Sequence, residues 1–151
     1  MITDALLALS SAQPVTATAV STNNIDLSLT RDLASGSDLY VHFSVDENAT
    51  AVGAATVQFQ IVSSASVTLS SPTVLASTGA ISKGDLTAGR RPFALGLASA
   101  IATALNLGQR YLGVQYVVAA GPLTTGRFSA VTSESTADVG KVYPSTGFKA
   151  L

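Results

Sequence analysis

Residues 38–46, DLYVHFSVD, alternate without a break: Leu39, Val41, Phe43 and Val45 fall on one face of an extended chain, and Tyr40, His42, Ser44 and Asp46 on the other. A period of two is the mark of a half-buried strand. The stretch Arg110–Gly121 repeats it, with Leu112, Val114, Tyr116 and Val118 on one side. So does Ala55–Ser63, where Val57, Phe59 and Ile61 oppose Thr56, Gln58 and Gln60. Shorter segments with the same pattern predict strands at Val15–Ser21, Ile25–Leu29, Ser66–Leu69, Thr73–Ser77, Phe93–Leu97 and Gly126–Ser133. The GPLTTG stretch between the last two strong segments predicts a β-hairpin with a long loop.

The intervening segments read as loops: Asp32–Asp38 around Gly36, Glu47–Ala54, and a glycine-punctuated connection from Ser77 to Pro92. Ser99–Leu107 predicts a loop with one helical turn. The opening residues, MITDALLALSSAQP, break the period. Thr3 or Asp4 would cap a brief helix over Ala5–Ser10, and Pro14 would end it. A helix of one or two turns does not hold in water, so this apolar arm must lie against its own core or another subunit. The tail, 134–151, predicts an extended segment anchored by Val142, Tyr143 and Phe148. About eight short strands with turns between them, and neither an internal repeat nor a linker, predict one all-β domain over residues 1–151, a sandwich or a barrel.

Charge narrows the possible partners. Charged residues make up 11% of the chain and its formal net charge is −1, against roughly 25% charged residues in an average soluble protein. No global field attracts nucleic acid or an anionic membrane, so neither is an expected partner. The first charge is acidic, Asp4, and no basic residue precedes Arg31, which argues against a secretory signal. No apolar run has the length of a membrane-spanning helix. The absence of cysteine excludes disulfides, thiolate metal sites and cysteine nucleophiles.

Candidate chemistry is sparse. The single histidine, His42, lies mid-strand on the polar side and is expected to be exposed or interfacial. Asp46, four residues along the same face, is about 13 Å away by strand rise, too far to orient it as a catalytic base. Glu47 and Glu134 are the only glutamates. Asp46–Asn48 reads as a solvated turn, without the alternating spacing of a calcium loop. No glycine pattern matches a phosphate or dinucleotide loop. Arg90 and Arg91 are the only adjacent basic pair, suited to a solvated loop or to acidic groups on a partner subunit. No catalytic residue, cofactor or metal is expected.

Three stretches read together carry a resemblance: residues 1–27 (MITDALLALSSAQPVTATAVSTNNIDL), 39–64 (LYVHFSVDENATAVGAATVQFQIVSS) and 108–131 (GQRYLGVQYVVAAGPLTTGRFSAV). In order and spacing they resemble the capsid cement, or decoration, proteins of tailed bacteriophages, the family typified by the cement protein of a Bordetella podovirus. The resemblance implies a jelly-roll β-sandwich. It also implies a homodimer made in the bacterial host cytoplasm and bound to the outer surface of the virion capsid, whose major capsid protein has the HK97-type fold, where it ties neighbouring capsomers together. No residue role transfers from a family motif. The expected interface residues are Ile2, Leu6, Leu7 and Leu9 of the arm, Arg90 and Arg91, and Tyr143 and Phe148 of the tail. The competing expectation is a carbohydrate-binding jelly roll of a tail fibre or surface appendage; the chain contains no tryptophan to serve as a sugar platform.

Overall fold

The alternating segments become the central strands of two antiparallel sheets in the computed structural model of the chain, which describes residues 7–27, 39–90, 93–97, 101, 103–104 and 107–133. The first sheet contains β1 (Ala8–Pro14), β4 (Tyr40–Thr50), β7 (Phe93–Gly96) and β9 (Thr125–Ser133), in the order β1-β9-β4-β7. The second contains β2 (Ala19–Val20), β5 (Thr56–Ser64), β6 (Thr73–Ser82) and β8 (Tyr111–Ala119), in the order β2-β8-β5-β6. The short β3 (Ile25–Asp26) also pairs with β8, beyond β2 on the same edge. Counting β2 and β3 as one interrupted strand gives eight strands in jelly-roll order, and the fold is an all-β sandwich.

The inward positions of β4, β5, β8 and β9 fill the space between the sheets. Phe43 and Phe128 come from the first sheet, Phe59 and Tyr116 from the second, and all four are fully buried. Phe59 is the hub. Its ring lies 5.3 Å from Phe43, 5.4 Å from Phe93, 5.7 Å from Tyr116 and 5.2 Å from Phe128, centre to centre. Two of these contacts are edge-on, an arrangement that suits the ring quadrupoles.

Several segments depart from the sequence-based expectation. Residues 8–10 are strand, not helix. The pairing of β1 with β9 shifts register twice between Ala8 and Gln13, and these irregularities let the consecutive Leu9 and Ser10 both be buried. Leu9 packs in the core, and the Ser10 hydroxyl bonds to the Tyr116 hydroxyl across the sandwich. The rest of the predicted helix, 5–7, lies at or beyond the edge of the described residues, with Leu7 exposed.

The expected hairpin of 110–121 with 126–133 does not form, because β8 and β9 belong to different sheets. Residues 120–124 make a corner between them: Leu123 is buried, its N–H donates to the Thr16 carbonyl at 2.8 Å, and the Thr124 N–H donates to that of Thr50 at 2.6 Å. Ser66–Leu69 is turn rather than strand, and Val15–Ser21 is strand only at β2. β4 runs on to Thr50, so Asp46–Asn48 is strand and not a turn. β6 continues to Ser82 through a bulge at Thr78–Gly79, where Gly79 adopts φ 79°. Ile101, Thr103 and Ala104 are helical, within the stretch expected to hold a helical turn. The loop at 32–38, the extended tail, and Ile2, Leu6, Arg91, Tyr143 and Phe148 lie outside the described residues.

The turn after β5 folds back over the outer face of the second sheet. Leu69 is buried there against Gly113 of β8, where an added Cβ would meet Leu69 Cδ1 at 2.4 Å. Gly113→Ala is therefore expected to force Leu69 out of its seat and cost about 1–2 kcal/mol, a mild overpacking penalty. Urea unfolding of the variant measures it, and an unchanged midpoint would show that the turn is not held at Gly113.

Candidate interaction surface

Several of the described polar groups that could do chemistry are engaged structurally. Asp46 accepts from the Ser129 hydroxyl at 2.6 Å, and Glu47 pairs with Arg127 at 3.0 Å across the β4–β9 ladder. Asn48 Oδ1 accepts the Ala88 N–H at 2.7 Å. Arg110 grips Asp26 with two parallel bonds of 2.7 and 2.8 Å. Both ion pairs are solvent-exposed and fix geometry more than they stabilise, at well under about 1 kcal/mol each. Among the described residues no three His, Asp or Glu side chains gather as a metal site, and no helix is long and apolar enough to cross a membrane.

His42 is buried within its own chain, contrary to the expected exposed or interfacial position. Alternation places it correctly on the side of β4 opposite Phe43, but periodicity does not reveal whether that side is covered. An open depression of about 490 Å³ lies at one end of the sandwich, lined by Ala17, Thr18 and residues 118–122. It carries neither an ionisable side chain nor an aromatic ring.

The two lateral sides of the sandwich differ more sharply. On one side the edge strand β1 is stitched to the chain around β2. The Gln13 side chain donates to the Val20 carbonyl at 2.8 Å and accepts the Thr22 N–H at 3.2 Å. The Asn23 N–H donates to the Leu9 carbonyl at 2.9 Å, and its side-chain amide to that of Ala8 at 3.0 Å. These bonds close the two sheet edges against each other.

On the other side β6 and β7 are the edges, and among the described residues no hydrogen bond joins them. Neither strand contains a charged residue or a proline. Of the nine partly buried hydrophobic residues packed against the core, five are here: Leu75, Ala76 and Ile81 on β6, Phe93 and Leu95 on β7. The bulge between Val74 and Ala76 explains why the consecutive Leu75 and Ala76 both reach the core. Among the described residues this side thus combines an unpaired outer edge of β6 with a half-buried apolar seam where β6 and β7 pack against each other, the kind of surface that soluble proteins protect or use.

Of the expected interface residues, Arg90 lies at one end of this seam. Its guanidinium sits 4.7 Å above the Phe93 ring, and its Nη1 donates to the Asp85 carbonyl. Leu9 lies far from a surface role, inside its own subunit's core. The β6 seam itself is missed by sequence reading, because TGAIS carries the glycine of a loop and the small, uncharged residues of an edge strand at once.

Among curated proteins none matches the sequence. The family model Bbp16, named after a Bordetella phage protein, matches residues 9–132. That span runs from the second residue of β1 to the next-to-last of β9, so the match and the sandwich coincide, and the chain belongs to the Bbp16 family.

Proposed function

We propose that the protein is a capsid cement protein: a homodimer that binds the outside of a phage head built from an HK97-type major capsid protein and reinforces contacts between neighbouring capsomers. It works by binding and carries out no reaction. The observation that carries this reading is a jelly-roll sandwich with few charges, whose Asp46, Glu47 and Asn48 side chains bond within its own fold and whose β6–β7 side offers an apolar strip for association between copies. The phage-derived family supports the setting.

Reinforcement follows from linkage. A ligand that binds only the assembled lattice stabilises that lattice by mass action. Two weak contacts on neighbouring capsomers, joined in one dimer, gain from a high effective concentration. Few charges are available, so the grip is apolar and hydrogen-bonded, and its affinity should change little between about 0.1 and about 0.5 M salt, where exposed ion pairs are screened.

The test adds purified protein to DNA-filled heads that lack it and follows DNA release on heating. Saturated heads should release DNA at a higher temperature. An unchanged release temperature at full occupancy would remove the reinforcing role.

A further inference from the structure

We propose that the β6–β7 side is the contact between two copies of this chain, with β6 of one copy set antiparallel to β6 of the other about a two-fold axis. The inference rests on the homodimer in the function proposed above and assigns its surface.

The sheet edges differ in length and in how they are tied down. β1 and β2 are tied to each other by Gln13, Thr22 and Asn23, β3 has two residues, and β7 has four. β6 has ten and pairs on one side with β5 alone among the described residues. Between Pro72 and Lys83, which flank it, β6 carries no lysine, glutamate or proline, so its length lacks the side-chain devices that keep edges apart. Its bulges bend the backbone, so the contact is a packed seam with short stretches of ladder rather than one flat ladder.

Apolar side chains line the seam beside this edge. Leu75, Ile81, Phe93 and Leu95 are already half-buried by their own core, and the same patch on a second copy completes their burial. A two-fold contact must be complementary to itself. An uncharged apolar strip meets that condition, whereas a strip of one charge does not.

Charges near β6 are confined to one end. Lys83, Asp85 and Arg90 gather at one end of β6, while the other end is framed by Ser70, Ser71 and Thr73. An antiparallel arrangement sets the charged end of each copy beside the hydroxyl end of its mate. The two charge clusters are then held about 30 Å apart, the length of a ten-residue strand. A parallel arrangement would bring them together. A two-fold axis perpendicular to β6 produces the antiparallel arrangement, whereas one along β6 would produce the parallel one.

The chain has no cysteine, so single cysteines report contacts without background. Val74, Ser77 and Ala80 are exposed on β6, and Val52 is fully exposed on the loop after β4 as a control. The experiment treats Val74→Cys, Ser77→Cys, Ala80→Cys and Val52→Cys with a short bifunctional maleimide, with light scattering in parallel. Ser77→Cys, near the middle of β6, should cross-link roughly a hundredfold faster than the control, the ratio of a millimolar effective concentration to protein at tens of micromolar. A mixture of Val74→Cys and Ala80→Cys should cross-link to each other faster than either does to itself. A dimer whose β6 cysteines react no faster than Val52→Cys overturns the proposal, as does a monomer. If β6 cysteines cross-link weakly in free protein but become shielded on heads, the seam belongs to the capsid protein instead. Loss of head binding with β6 cross-linking intact would overturn the cement reading and leave the copy–copy contact standing.

Discussion

Phe59→Ala should remove about 3–5 kcal/mol of folding free energy, the cost of truncating a buried phenylalanine and leaving its cavity. Phe59 projects from the middle of β5, the strand that pairs with both β6 and β8, and its ring touches four others from both sheets. Neighbours cannot collapse into the gap without leaving the ladders that fix their backbones. A domain of this size has about 5–15 kcal/mol in hand, so the variant should approach its unfolding threshold at room temperature. Urea unfolding measures the loss, and Phe59→Leu should recover most of it because less volume is removed. A loss under about 1 kcal/mol would mean that the rings do not form the principal core. The same variant should weaken association at the β6–β7 side, because Phe93 stacks on Phe59 and takes its position from it.

How the sequence discloses this arrangement depends on how each residue is held. Phe43, Phe59 and Tyr116 could be assigned to inward faces from alternation alone, since a period of two fixes the face once the segment is extended. Leu9 was hidden because it sits in a short apolar run. Such runs suit a helix and a strand equally, and only the irregular pairing of β1 with β9 decides. The partner of β8 was hidden too. GPLTTG has the composition of a hairpin turn, and what sends the chain to the other sheet is burial of Leu123 and bonds from Leu123 and Thr124 to Thr16 and Thr50. These contacts span more than seventy residues and leave no local trace. The candidate surface is less legible still. An edge is defined by what does not pair with it, and Leu75, Ile81 and Leu95 look like any other strand hydrophobics until the sheet order puts β6 and β7 at the same side of the sandwich.

Raising the pH should destabilise the fold through Tyr116. Its ring is fully buried. Burial pushes the phenol well above its usual range, the hydrogen bond to Ser10 pulls it part of the way back, and the negative charge of Asp46 raises it again. In the unfolded chain a tyrosine loses its proton near pH 10. Between that point and the raised folded value, the unfolded chain sheds a proton that the folded chain keeps. The native state then binds more protons than the unfolded state, so stability falls as pH rises, by about 1.4 kcal/mol per pH unit for this one group. The stabilisation is fully present below about pH 10 and is lost above it. Other groups also titrate in that range, and a variant isolates the tyrosine. Tyr116→Phe alone would leave the buried Ser10 hydroxyl without its partner, at about 1–3 kcal/mol at every pH. The double variant Ser10→Ala with Tyr116→Phe removes both ends of the bond. Its unfolding free energy, followed by urea titration from about pH 8.5 to about pH 11.5, should decline less steeply than that of the natural chain, with the difference opening only above about pH 10. Parallel declines in the two proteins would show that Tyr116 titrates alike folded and unfolded, and that its hydroxyl is not held between the sheets.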